Sequence, residues 1–199
     1  MSPDSKAPEG AHEIIHARAL YEGWARFLVA KVRLADGHIV DREIEDHGDA
    51  ACVLAYNVRR KTAVLVRQLR APPLFAAGAQ HTLEAIAGIV EKNEDAAACA
   101  RREAKEEAHL AIEAPQHLFT AWTMPGISTE RMHFFLARYA GEVRQGVVGG
   151  LAGEREDTVG VEISLAELAR MADAGELVDV KTLLLVQTLR LRQPELFEG

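Results

Sequence analysis

The sequence predicts a mixed α/β fold, a sheet with helices packed on its faces. Three observations carry this. Residues Glu13 to about Arg70 read as strands, with rough alternation of apolar and polar side chains. Glu94 to His109 is rich in Ala and Glu, both strong helix formers. Two more strand-like runs and two helical runs complete the chain, and strands flanking helices in this order make a mixed α/β sandwich.

Each element has its own signal. "ARFLVAKVRL" runs into Asp36-Gly37, a hairpin dipeptide, and "HIVDREIED" returns from it. "ACVLAYNV" and "KTAVLVRQLR" form a second hairpin around Arg59 and Arg60, and Pro72-Pro73 breaks the pattern. "TLEAIAGIV" reads as a strand that ends in a turn at Gly88. "LFTAWTM" and "RMHFFLARY" are strands on either side of a Pro125-Gly126 loop. The Gly-rich stretch "QGVVGGLAGERED" is a loop long enough to suggest function. Ser164 opens a helix with Ser-x-x-Glu, a capping box, and Gly175 stops it. The last helix, Val180 to about Arg192, carries leucines. Trp24, Trp122, Phe134 and Phe135 are expected in the core.

Composition narrows the function classes. The chain has 199 residues, of which 48% are hydrophobic, enough for a core and for one domain or a domain plus subdomain. A net charge of −7 argues against a nucleic-acid-coating surface. From Glu84 to Glu113 there are eight acids and four bases, so −4 of that charge falls in one stretch. Cys52 and Cys99 are far apart and in no metal spacing, which fits a reducing cytoplasm. "MSPDSKAPEG" lacks the apolar run of a signal peptide, and Leu183-Leu184-Leu185-Val186 is too short to span a membrane. No membrane partner is expected.

The densest chemistry is Arg101 to Leu110, "RREAKEEAHL". On a helix, Glu103 and Glu107 lie one above the other, and like charges at that spacing repel by a few tenths of a kcal/mol, about 0.2–0.5. A bound divalent cation neutralises such a pair, and so do solvent and the flanking arginines. Hard cations such as Mg²⁺ take oxygen ligands from one side and leave room for a phosphate. Arg102 stands four residues before Glu106 and can orient it. A charge run by itself means a solvated face.

The wider pattern is more specific. Gly88, Glu94, Arg102, Glu103, Glu106 and Glu107, with the aliphatic Ala104 and Leu110, match Gly-x5-Glu-x7-Arg-Glu-Ala-x-Glu-Glu-x-x-Leu. This resembles the Nudix box, the signature of hydrolases of nucleoside diphosphates linked to another group. "AVLVRQLR", "LEAIAGIV", "MPGISTERMHFFLARY" and "GELVDVKTLLLVQ" extend the resemblance over Thr62 to Gln187. They look like the ADP-ribose and GDP-mannose pyrophosphatase branch of that family. One position departs: the family's Gly, which ends the helix in a left-handed conformation, is His109 here. His tolerates positive φ better than most residues and suits a helix C-terminus.

The resemblance implies a Nudix α/β/α sandwich over 59–199. It also implies an N-terminal antiparallel β subdomain over 12–58, exchanged across a homodimer, with 1–11 a disordered tail. Glu103 and Glu107 would bind Mg²⁺, or Mn²⁺ as a substitute, with the Ala87 carbonyl as a further ligand and Glu106 close by. Arg67 and Arg70 would face the diphosphate, since a guanidinium forks onto phosphate oxygens. Glu84 would contact the ligand or a metal, where its plain reading is a strand residue facing solvent. The loop from Met124 to Glu130 would lie near the substrate. Glu154 and Glu156 are the candidates for general base, Glu154 preferred. The expected reaction is hydrolysis of a nucleoside diphosphate sugar, GDP-mannose or ADP-ribose. Other readings are a Nudix-shaped binding module without turnover, suggested by His109, and a Nudix hydrolase of another dinucleotide such as NADH.

A competing motif is His12-Glu13-Ile14-Ile15-His16, which matches the zinc-protease helix H-E-x-x-H. It needs both histidines on one helical face and a third ligand. Its neighbours read as strands, so a chance match is expected.

Overall fold

The structure is a computed structural model, and it describes residues 10–141, 143, 148–149 and 158–198. In chain order the strands and helices are β1 (Glu13–Glu22), β2 (Arg26–Arg33), β3 (Ile39–Asp46), β4 (Ala50–Asn57), β5 (Thr62–Gln68), α1 (Ala71–Ala77), β6 (Thr82–Glu84), β7 (Ile86–Ile89), α2 (Ala96–Ala108), β8 (Gln116–Trp122), β9 (Arg131–Arg138), β10 (Val148–Gly149), β11 (Thr158–Ser164), α3 (Leu165–Asp173) and α4 (Val180–Arg192). No helix among the described residues is long and apolar enough to cross a membrane.

The contacts divide the chain into two compact units, 1–49 with 122–131 and 50–121 with 132–199. In the first, β1, β2 and β3 form an antiparallel sheet of two consecutive hairpins, of which the sequence predicts the one at Asp36-Gly37. The β2–β3 turn is at Asp36-Gly37, where Gly37 takes φ 87°, a conformation that favours glycine. Three cross-strand ion pairs, Arg26–Asp46, Lys31–Asp41 and Arg33–Glu13, support the register. His12 precedes β1, Glu13 opens it and His16 lies within it. A strand rises about 3.3 Å per residue, so the two histidines stand roughly 13 Å apart and cannot share one zinc ion. The H-E-x-x-H match is therefore a coincidence of strand sequence.

The second unit is built on a mixed sheet, β10-β11-β5-β4-β9-β8, with β6 beside β5 and β7 beside β4. Ala50–Asn57, which the sequence reading grouped with the N-terminal strands, is its middle strand. β4 is buried along its whole length, parallel to β9 and antiparallel to β5 and β7. Its alternate residues face opposite layers. Cys52, Leu54 and Tyr56 pack with Leu165 and Leu168 of α3 and with Leu185, Val186 and Leu189 of α4. Ala51, Val53 and Ala55 pack with Cys99, Ala100, Ala104 and Ala108 of α2. Each buried leucine contributes about 2 kcal/mol. The small alanines on the α2 side let that helix lie close to the sheet.

Two expectations are corrected. Gly88 is not in a turn, since it lies inside β7 opposite Ala51. Trp24 and Trp122 are not in the core, being 76% and 55% exposed, whereas Phe134 and Phe135 are buried.

One irregularity of this sheet matters for function. β4 and β5 pair only from Ala55 to Asn57. Beyond that they part, and the segment 82–89 fills the gap. Thr82–Glu84 pairs with β5 and Ile86–Ile89 with β4. At the switch, the Ala85 N–H donates to Thr182 Oγ1 on α4 at 2.6 Å, so this buried amide is satisfied outside the sheet.

Candidate active site

Helix α2 holds the acidic cluster. Asp95 caps its start, accepting from the Ala98 N–H at 2.7 Å. His109 ends it at φ 50°, ψ 34°, the left-handed conformation expected of the family's glycine. The Leu110 N–H then closes onto the Ala104 carbonyl at 2.9 Å. The helix therefore ends where the motif requires, with Ala104 and Leu110 buried.

Arg102 organises the cluster. Its guanidinium donates to both Glu94 oxygens at 3.0 Å, to Glu103 Oε1 at 2.6 Å and to Glu106 Oε2 at 3.0 Å. It also reaches the Ile89 carbonyl of β7 at 3.0 Å. One planar fork thus holds three carboxylates and ties the helix to the strand. These bonds, Glu94 first, outweigh burial and raise the Arg102 pKa further above its already high value. The same pairing holds the Glu94 carboxyl below its ordinary range.

Glu107 faces inward. It is 5% exposed, and its Oε2 accepts from the Ala87 N–H at 3.2 Å. Gly88 makes room beside it: a β-carbon there would overlap the Glu103 carboxylate and sit 2.7 Å from Glu103 Cγ. On the far side, a β-carbon on Gly149 of β10 would lie 2.7 Å from the Glu106 carbonyl oxygen. Gly88 thus leaves space for the Glu103 side chain, and Gly149 lets β10 approach the helix backbone at Glu106 and Glu107. Cys99 lies on the buried face of the helix, and burial pushes its thiol up to about 12, so it is a packed hydrophobe and not a nucleophile.

A second cluster forms at β6. Glu84 is 3% exposed and accepts from Arg70 Nε and Nη2, both at 3.0 Å, and from the Thr82 hydroxyl. Lys181 Nζ stands 3.5 Å from its other face and 2.6 Å from Asp179, the N-cap of α4. Burial opposes charging of Glu84, but the Arg70 bonds, Thr82 and Lys181 outweigh it and lower its pKa. Burial also opposes the Lys181 charge, and Asp179 and Glu84 restore it. Glu84 is thus a buried anion under two cations, not a solvent-facing strand residue. Sequence reading missed Lys181, whose only local sign is its place two residues after a helix cap.

The other candidates lie as follows. Arg67 is exposed on β5, opposite Leu83 of β6. Glu130 belongs to the first unit, where Thr123 donates to its Oε1 at 2.6 Å and His47 Nε2 lies 3.0 Å from its Oε2. Its segment and β3 line an open hollow of about 440 Å³ that includes Arg42 and Trp122. Glu154 and Glu156 fall outside the described residues.

The donor set fits a hard divalent cation. It offers the carboxylate oxygens of Glu103, Glu106 and Glu107 on one helix. Among the described residues, no three His, Cys, Asp or Glu side chains form a ready cage. Mg²⁺ does not need one, since it uses one or two carboxylates and completes its shell with water and phosphate.

The comparisons agree with this geometry. A NUDIX domain model matches residues 46–184. The GDP-mannose pyrophosphatases of Escherichia coli O157:H7 and of Shigella dysenteriae serotype 1 (strain Sd197) are each 35% identical over 159 residues, covering 78% of this chain and 82% of theirs. Among solved structures, the crystal structure of an ADP compounds hydrolase superposes with a TM-score of 0.74 at 14% identity, covering 96% of this chain and 98% of that one. That likeness concerns the fold. With the motif intact on α2 and its glutamates gathered against β7, the chain belongs to the Nudix family of hydrolases.

Proposed function

We propose that the chain hydrolyses the diphosphate bond of a nucleoside diphosphate sugar, of the GDP-mannose or ADP-ribose type, to a nucleoside monophosphate and a sugar phosphate. One observation carries this reading. The acidic face of α2 meets β7 at Ala87, and the Arg70–Lys181 cation pair meets β6 at Glu84, three residues earlier. A diphosphate needs both kinds of partner: oxygen ligands for a metal ion and fixed positive charge for its own oxygens. The name carried by the relatives at 35% identity favours GDP-mannose.

In this reading Glu103, Glu107 and the Ala87 carbonyl hold Mg²⁺, or Mn²⁺ in its place. The ion would supply charge neutralisation and a lowered pKa for bound water. Arg102 keeps Glu103 and Glu106 in position. Arg70 and Arg67 orient the diphosphate, and Glu84 fixes the Arg70 fork. Glu130 contributes to substrate binding. Water attacks one phosphorus, the bond from that phosphorus to the bridging oxygen breaks, and Glu154 or Glu156 takes the water's proton. The ground for a silenced binding module was His109, and its left-handed cap leaves α2 intact.

We further infer a cytoplasmic homodimer with no nucleic-acid or membrane partner. Ile14, Leu20, Tyr21, Phe27 and Ile39 leave apolar surface on the β1–β3 sheet, which supports pairing with a second copy. Light scattering tests the dimer. The reaction is tested by phosphate release, after phosphatase treatment, from GDP-mannose, ADP-ribose, ADP-glucose, NADH and diadenosine polyphosphates with Mg²⁺, Mn²⁺ or EDTA. Metal-dependent cleavage of a nucleotide sugar is expected. Cleavage of NADH or a dinucleoside polyphosphate alone overturns the substrate class.

A further inference from the structure

Outside the carboxylate site, β8 and β9 bring together two imidazoles. His117 Nε2 lies 3.1 Å from Thr120 Oγ1, and the same oxygen lies 2.9 Å from His133 Nδ1. The two ring centroids are 6.1 Å apart. Phe135 holds the His117 ring edge-on at 5.3 Å, so an exposed side chain has a defined place. Two ring nitrogens converge on one hydroxyl.

We infer that His117, Thr120 and His133 form a binding site for a borderline divalent cation, of the Zn²⁺, Ni²⁺ or Cu²⁺ type. Imidazole selects these ions over Mg²⁺, which prefers carboxylate, carbonyl and water. Bonds of about 2.0–2.1 Å from each nitrogen require the rings to close by roughly 1 Å onto a point near the hydroxyl. Solvent supplies the remaining ligands, as His117 and Thr120 are exposed.

The place in the sheet keeps this point apart from the carboxylate site. His133 is in register with Ala51 of β4, and Ala51 with Gly88 of β7. Residues in register share a face, so His133 stands on the α2 side, roughly 10 Å from Gly88 across two strand spacings. The protein would carry two sites sorted by ligand chemistry, an oxygen site for hard ions and a nitrogen site for borderline ones.

The test titrates Zn²⁺ alone into the full chain held in excess Mg²⁺, by calorimetry. Cu²⁺ paramagnetic resonance of the same sample reports the ligand atoms. One ion per chain with a two-nitrogen signature is expected. His117→Ala, an exposed change whose folding is checked by thermal unfolding, should lower Zn²⁺ affinity by at least about tenfold, the least that even an outer-shell loss costs. Equal affinity in wild type and His117→Ala, or a Cu²⁺ signal that the variant does not alter, overturns the site. Neither readout depends on turnover, so failure here is separate from failure of the proposed reaction.

Discussion

Gly88→Ala tests whether the close approach of β7 to α2 places the proposed metal ligands. Gly88 does not have positive φ, so alanine can adopt its backbone. The obstacle is Glu103, whose Cγ would lie 2.7 Å from the new β-carbon, with the carboxylate closer still. To restore ordinary contact, the carboxylate must retreat by roughly 1.5 Å. Glu103 is a flexible side chain, so the fold should lose no more than about 1–2 kcal/mol. Its 2.6 Å bond from Arg102 should break, and the carboxylate should leave its place beside Gly88. A misplacement near 1 Å costs about 100-fold in rate. Turnover should therefore fall by about two orders of magnitude and need more Mg²⁺, while thermal unfolding stays near wild type. Steady-state rates across a Mg²⁺ titration measure this. A folded variant with wild-type rate and wild-type metal dependence would refute the reasoning.

Glu107→Gln keeps the shape and an acceptor for the Ala87 N–H but removes the charge, so turnover should drop by orders of magnitude with the fold intact; unchanged turnover rules out its metal role. His109→Gly relieves a left-handed non-glycine residue and should stabilise by about 1 kcal/mol, raising Tm by about 2–4 °C with turnover unchanged. A lower Tm would show that His109 contributes more than a cap. His47 lies between Glu45 and Glu130, and although burial opposes its charge, the hydrogen bonds to Glu130 and Glu45 raise its pKa above 6.5. Its stabilisation is then complete below about pH 6.5 and lost as the pH rises through the higher folded value. The Tm gap between wild type and His47→Gln should be widest at low pH and narrow on raising it, and a pH-independent gap would contradict the assignment.

What the sequence disclosed and what it hid follow one physical division. The α2 pairing of Arg102 with Glu106 is an i, i+4 contact, so spacing alone predicts it, and the structure has it at 3.0 Å. The left-handed end at His109 is likewise a local backbone matter. The hairpin at Asp36-Gly37 and the cap at Ser164 are local too. Glu84 is expected at the ligand or a metal, but its burial under two cations is not legible in the sequence, because one of them is Lys181, nearly a hundred residues later on another helix. The place of β4 in the mixed sheet is hidden for the same reason, since it owes its burial to β9 and to helices from the far end of the chain. Gly88 belongs to both sides of the division. Its presence was legible as a motif position, but a turn was the wrong reason for it. Its partner is the Glu103 carboxylate, fifteen residues on, and only the packing of α2 on β7 shows that the missing side chain is the space where that carboxylate lies. A glycine with ordinary φ inside a strand is therefore evidence about its neighbour across the layer, and in this protein the neighbour is a proposed metal ligand.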